Sequence, residues 1–148
     1  MNVGESQPCF IDSNIWLYRF IINPRDTDAI PKQQIATTIT NYPNILISTQ
    51  VVNEVCSNLI RKAGFNNTQI QTLIEELGQG CEILPVSLET IKSAVVLHHQ
   101  YLLSFWDSLI VANAILGDAK ILYSEDMQDG LIIENTLQIV NPFRDLNC

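Results

Sequence analysis

Apolar residues fall in short continuous runs separated by longer amphipathic stretches. Cys9-Phe10-Ile11, Ile45-Leu46-Ile47, Cys81-Glu82-Ile83-Leu84, Lys120-Ile121-Leu122-Tyr123 and Leu137-Gln138-Ile139-Val140 read as five strands, each too short for a helix and rich in side chains that favour a pleated sheet. Helices lie between them. Ile15 to Ile22 forms an apolar segment after the first strand, and Pro31 opens a weaker stretch in which Ile35, Ala36 and Ile39 share a face. Ser48 is a natural N-cap for a helix running to Ala63, with Gly64 as its stop. Thr68 and Gln71 have the spacing of a capping box for the next helix, whose stripe is Ile70, Leu73, Ile74 and Leu77 and whose end is marked by Gly78 and Gly80. Ser87 caps another, with Leu88, Ile91, Val95 and Leu102 in register and His98 on the same stripe. The last helix opens at Ser104-Phe105-Trp106-Asp107 and closes at Gly117. Its Leu109, Ile110, Val111, Ala112, Ala114, Ile115 and Leu116 are too uniformly apolar for a half-exposed helix, which predicts burial on most sides.

Strands alternating with helices imply parallel pairing, hence an α/β three-layer sandwich with a mainly parallel sheet of about five strands. The length of 148 residues suits a single domain, with residues 1–8 a loose polar lead-in. In such a sheet every strand points its C-terminal end to one edge, where α/β folds bind ligands. That edge collects acids. Asp12 follows the first strand and Asp126 the fourth, Asp107 joins from a helix start, and Glu54 lies on the exposed side of the helix after the second strand.

Charge sharpens the picture. A net charge of −8 argues against gripping nucleic acid or an anionic membrane by bulk electrostatics. A phosphate substrate must then be held locally, by a metal or by a few of the eight Lys and Arg residues, such as Arg19, Arg61, Lys62 or Lys92. Four converging carboxylates repel unless a divalent cation sits among them or their pKa values rise, and an oxygen-only donor set suits Mg²⁺ or Mn²⁺. The four cysteines show no CxxC or Cys/His pattern, which makes a zinc site improbable. With no signal-peptide pattern and no apolar span of membrane length, a reducing cytoplasm is the expected location. No glycine-rich phosphate loop and no G-x-S-x-G elbow is present, which removes P-loop enzymes and serine hydrolases.

Four segments together carry a resemblance: Phe10-Ile11-Asp12-Ser13-Asn14, Ser48-Thr49-Gln50-Val51-Val52-Asn53-Glu54, Trp106-Asp107-Ser108-Leu109-Ile110-Val111-Ala112-Asn113-Ala114, and Tyr123-Ser124-Glu125-Asp126-Met127-Gln128-Asp129-Gly130. In this order they are similar to a PIN domain, best matching the VapC-like toxin branch of type II toxin–antitoxin modules. That resemblance implies an acidic quartet of Asp12, Glu54, Asp107 and Asp126, with Asp12 and Asp107 foremost as metal ligands, Asp129 as an additional acid, and Asn14 and Ser124 orienting the carboxylates. It further implies Mg²⁺- or Mn²⁺-dependent cleavage of RNA by one or two ions, an antitoxin partner and a homodimer.

Each acid also has a plainer reading. Asp107 stands three residues after Ser104, where a helix dipole favours an acid whether or not it binds metal. Asp12 could simply cap the helix after the first strand, Asp126 and Asp129 could be turn residues before Gly130, and Glu54 could sit on a solvated face near Arg61. Trp16, Tyr18, Phe20 and Trp106 could stack bases, though aromatics beside strands are mostly core. His98 and His99 are assigned no role. Two competing functions remain open: a catalytically silent PIN-like module that only binds a partner, and another Mg²⁺-dependent α/β phosphohydrolase. Against the second, Asp12-Ser13-Asn14 lacks the second Asp of a haloacid-dehalogenase-like nucleophile motif.

Overall fold

The computed structural model describes residues 7–147. Its elements run β1 (Cys9–Ile11), α1 (Ser13–Phe20), α2 (Ala29–Ile39), β2 (Ile45–Ser48), α3 (Thr49–Ala63), α4 (Asn67–Gly80), β3 (Cys81–Leu84), α5 (Leu88–Gln100), α6 (Phe105–Leu116), β4 (Ile121–Tyr123), β5 (Ile132–Ile133) and β6 (Leu137–Val140), then a 3₁₀ turn at Arg144–Asn147. Strand order across the sheet is β3-β2-β1-β4-β6-β5. All neighbours pair in parallel except β5 with β6.

This order puts a reversal at the centre. From β1 the chain steps outward through β2 to β3, then returns to lay β4 on the other side of β1. The crevice beyond the C-terminal ends of β1 and β4 is therefore the topological switch point, where open parallel sheets bind ligands. Every residue of β1 and β2 is buried, as strands covered on both faces must be. The core is one continuous cluster that includes Phe10, Ile15, Leu59, Ile110, Leu122 and Ile139.

Five expected strands form, and a sixth joins them as the short antiparallel β5. Helix starts differ by a turn's fraction. α1 begins at Ser13 because Asp12 caps it, and Pro31 falls inside the first turn of α2, where a missing N–H costs nothing. α4 begins earlier than Thr68: Asn66 is its cap, and the capping box closes with Gln69 instead of Gln71. Gly78 lies within that helix, which runs on to Gly80. α3 keeps its expected bounds, with Ser48 accepting from Val51 N and Gly64 taking the left-handed conformation (φ 66°).

The apolar stripe of α5 faces the wrong way for a core stripe. Thr90, Ala94 and Leu97 are buried, whereas Leu88, Ile91, Val95 and Leu102 are exposed. Ala94 is small enough to let α5 close onto α6, so packing selects that face over the bulkier one. His98 is exposed and its Nδ1 lies 2.7 Å from the Leu103 carbonyl. α6 itself is buried from Ser108 through Ala114, as expected. Of the lead-in, residues 1–6 lie outside the described residues; Pro8 is tied down, its carbonyl accepting from Lys120 N at 2.9 Å. Among the described residues no helix is long and apolar enough to cross a membrane.

Candidate active site

Asp12 stands at the switch point. It follows directly on β1, its backbone N–H donates to the Tyr123 carbonyl of β4 (3.0 Å), and its Oδ1 accepts from Ser13 N at 2.7 Å. Oδ2 accepts from Ser124 Oγ at 2.9 Å and, weakly, from Asn14 Nδ2 at 3.5 Å. Only 5% of the residue is exposed. Burial pushes its carboxyl up to about 6, against the pull of the Ser124 and Ser13 hydrogen bonds and with a further push from the Glu54 and Asp107 charges. Asp12 thus caps α1 and faces the other acids at once.

Glu54 turns toward this centre. Its Oε2 accepts from Ser13 Oγ at 2.6 Å and its Oε1 from Gln50 Nε2 at 3.2 Å. Arg61 lies elsewhere, donating to Asn58 Oδ1 at 2.9 Å. Asp107, in the first turn of α6, gives its backbone N–H to Ser104 Oγ at 3.0 Å. Burial raises its carboxyl pKa, the Ser104 hydrogen bond opposes, and the Asp126 and Glu54 charges add to the rise.

Asp126 completes the group from the turn after β4. It is exposed, and its Oδ2 accepts from Asn14 Nδ2 at 3.0 Å. Asn14 is the bridge: its amide reaches Asp126 and Asp12, while its Oδ1 accepts from Glu125 N at 3.3 Å. Ser124 is fully buried and, besides donating to Asp12, its Oγ accepts from Met127 N at 3.4 Å, which ties the turn to the carboxylate. Asp129 is not brought to this group. It accepts from Asn141 N at 2.8 Å and pairs with Arg144 at 3.5 Å, closing the turn toward the C-terminal end.

Two participants escaped the sequence reading. Ser13 links Asp12 to Glu54 across 41 positions, which no local pattern reports. Gln50 could have been found, because it precedes Glu54 by one helical turn. Its Nε2 also donates to the Trp106 carbonyl at 3.2 Å, fastening α3 to the start of α6, and its buried Oε1 has no hydrogen-bond partner.

None of the four acids joins an ion pair among the described residues; the ion pairs there join Lys32 to Asp26 and Glu125, and Arg144 to Asp129. Nor do any three His, Cys, Asp or Glu side chains among the described residues stand together closely enough, as placed, to hold a metal ion. Bare carboxylates repel, and here neutral donors lie between them, Ser13 between Asp12 and Glu54 and Asn14 between Asp12 and Asp126. The donor chemistry fits a hard divalent cation, since every candidate ligand is an oxygen and no Lys or Arg among the described residues is ion-paired with the four acids.

The family model described as PIN domain matches residues 9–128, from β1 to the acidic turn after β4. The chain belongs to the PIN domain family. No curated protein matches the sequence. Among solved structures, this PIN domain is similar to a toxin–antitoxin complex from Klebsiella pneumoniae at 21% identity and a TM-score of 0.64, covering 90% of this chain and 97% of that one. It is similar to VapC20 of Mycobacterium tuberculosis, a sarcin-ricin loop cleaving toxin, at 18% identity and 0.56, covering 77% and 86%. It also resembles VapBC2 of Rickettsia felis, solved bound to a DNA fragment from its promoter, at 19% and 0.56, covering 90% and 98%. At these identities the likeness is one of fold.

Proposed function

We propose that this PIN domain is a Mg²⁺- or Mn²⁺-dependent endoribonuclease, the toxin of a toxin–antitoxin pair, working in the cytoplasm as a homodimer. The observation that carries the reading is Asp12: a carboxyl 5% exposed, pushed up to about 6, with Glu54 and Asp107 charges acting on it and no Lys or Arg paired to it among the described residues. An uncompensated acid cluster at a switch point is costly and is retained where a cation or substrate charge completes it.

Asp12, Glu54, Asp107 and Asp126 would hold the ion. When bound, it supplies activation of water and neutralisation of charge on the phosphoryl group. The chain's own contribution is positional. Ser124 and Ser13 N hold the Asp12 carboxylate in one orientation, Asn14 fixes Asp126 relative to Asp12, and Ser13 and Gln50 hold the two oxygens of Glu54. An antitoxin fits the same charge logic, because a basic side chain entering the acidic crevice would occupy the place of the cation.

The test is cleavage of single-stranded RNA by purified protein in Mn²⁺. Asp12→Asn and Asp107→Asn abolish cleavage and relieve growth arrest on expression, while Asn14→Ala and Ser124→Ala, which remove partners of the carboxylates, cost about 10–100-fold. Mn²⁺ at a hundredfold excess over its Kd stabilises the wild type by about 2.7 kcal/mol in a thermal melt and leaves the double variant unmoved. Wild-type-like cleavage by the Asp12→Asn/Asp107→Asn variant refutes the assignment. One observation favours a second reading, a catalytically silent PIN-like binding module: among the described residues no three acids stand at ion-holding distance. Absence of both a manganese shift and cleavage would select it.

A further inference from the structure

A cavity of about 230 Å³ opens beside the acids, between α1, the segment leading into α2 and the end of α3. Leu17, Tyr18, Ile21 and Ala29 line it, and its polar lining comes from Asn14, Asn23, Asp26, Lys62 and Glu125. We propose that this cavity receives one nucleobase of the RNA strand, next to the bond that is cut, and prefers a base with an exocyclic amino group over uracil. The proposal rests on the nuclease reading and adds the subsite that selects the substrate.

Position comes first. Asn14 lines the cavity and donates to Asp126, and Glu125 lines it from the position before Asp126. A base lodged here belongs to a nucleotide whose phosphate lies near the acids. Apolar walls suit the faces of a planar ring, and carboxylates and amides suit its edge, since Glu and Asp accept from exocyclic amines. The volume lies below the 300–1,000 Å³ typical of pockets for drug-sized ligands, which limits the occupant to one ring system.

Charge decides between a base and a cationic side chain. Lys32 already neutralises the acidic lining, at 3.1 Å from Glu125 and 3.8 Å from Asp26. Lys62 joins no ion pair among the described residues and is exposed, ready for a backbone phosphate. A neutral group with a phosphate attached fits this distribution better than a second cation. The walls are also held in advance: Tyr18 Oη donates to Glu125 Oε1 at 2.5 Å, and Lys32 Nζ lies 5.1 Å from the centre of the Tyr18 ring.

The experiment measures binding of short fluorescent single-stranded RNAs to the whole protein in Ca²⁺, by anisotropy, with an abasic residue walked along the strand. The variants are Ile21→Trp, which fills the cavity, and Asn23→Ala, an exposed change that gives up one hydrogen bond, from Arg25 N. One abasic position weakens wild-type binding about 10-fold, as loss of a single stacked base does; Ile21→Trp erases that penalty, and Asn23→Ala narrows the gap between cytidine and uridine at the same position. Equal abasic penalties in wild type and Ile21→Trp overturn the proposal. So does an Ile21→Trp protein that binds RNA normally but loses a basic antitoxin peptide, because the cavity then serves a protein. The same strands scored for cleavage in Mn²⁺ separate the two readings: base-selective binding without cleavage removes the nuclease and keeps the pocket, cleavage without base selectivity does the reverse, and neither binding nor cleavage overturns both.

Discussion

Asp12 sets burial against charge, and the conflict has a measurable pH signature. Its folded carboxyl titrates at about 6 against an ordinary 3.8, so the folded chain holds that proton more tightly than the unfolded chain does. The sign follows: the contribution to stability is fully present below 3.8, falls as pH rises through about 6, and stays lost above it. The interval corresponds to about 3 kcal/mol. In metal-free buffer, Asp12→Asn therefore gains on the wild type by up to about 3 kcal/mol between pH 4 and pH 7, read as the difference between two urea denaturation series. A difference that does not change with pH sinks this account. At this scale the sequence offered Asp107 two readings, a first-turn helix acid or a site acid; in the structure its N–H donates to the Ser104 cap, and the Asp126 and Glu54 charges act on its carboxyl. Ser13 was invisible because its bond to Glu54 joins positions distant in the chain and needs the sheet to bring α1 beside α3.

Elements inherit these constraints through their caps. Ser48 ends β2, is fully buried, and accepts from Val51 N at 3.3 Å to start α3, the helix that presents both Gln50 and Glu54. Ser48→Ala removes that acceptor inside the protein, where water cannot replace it, and destabilises by about 1–2 kcal/mol in chemical denaturation. Catalytic loss accompanies it, because the first turn of α3 carries Gln50; unchanged stability would show that the cap is dispensable. Ser48 and Gly64 were legible since both act locally, through one side chain and one dihedral. Other elements were not. α5 has two apolar faces, and periodicity finds the bulkier Leu88, Ile91 and Val95 one, whereas close approach to α6 requires the face of Thr90 and Ala94. β5 has two residues, and the turn after it puts Glu134 and Asn135 at φ 51° and 60°. That left-handed pair is usually signalled by Asn-Gly, and no glycine stands here.

At the scale of the whole molecule, the face that α5 leaves open bears on assembly. Leu88, Ile91 and Val95 are exposed along one side of α5, and Leu102 and Trp106 are exposed in the connection to α6 and its first turn, one residue short of Asp107. Contiguous exposed apolar side chains of this size mark interaction surfaces, and a two-fold pairing through such a face is self-complementary. The proposed homodimer is built on it. Each chain carries a net charge of −8, so two copies repel while the apolar face attracts. Salt screens the first and leaves the second, which is opposite to the behaviour of a dimer held by ion pairs. The dimer dissociation constant measured by analytical ultracentrifugation should therefore fall as NaCl rises from 50 to about 500 mM, a range over which the Debye length shrinks to a few ångströms. Val95→Glu should yield a monomer at every salt concentration, because a carboxylate desolvated at the centre of the face costs several kcal/mol. A dimer that tightens as salt is removed, or that survives Val95→Glu, would place the contact elsewhere on the molecule.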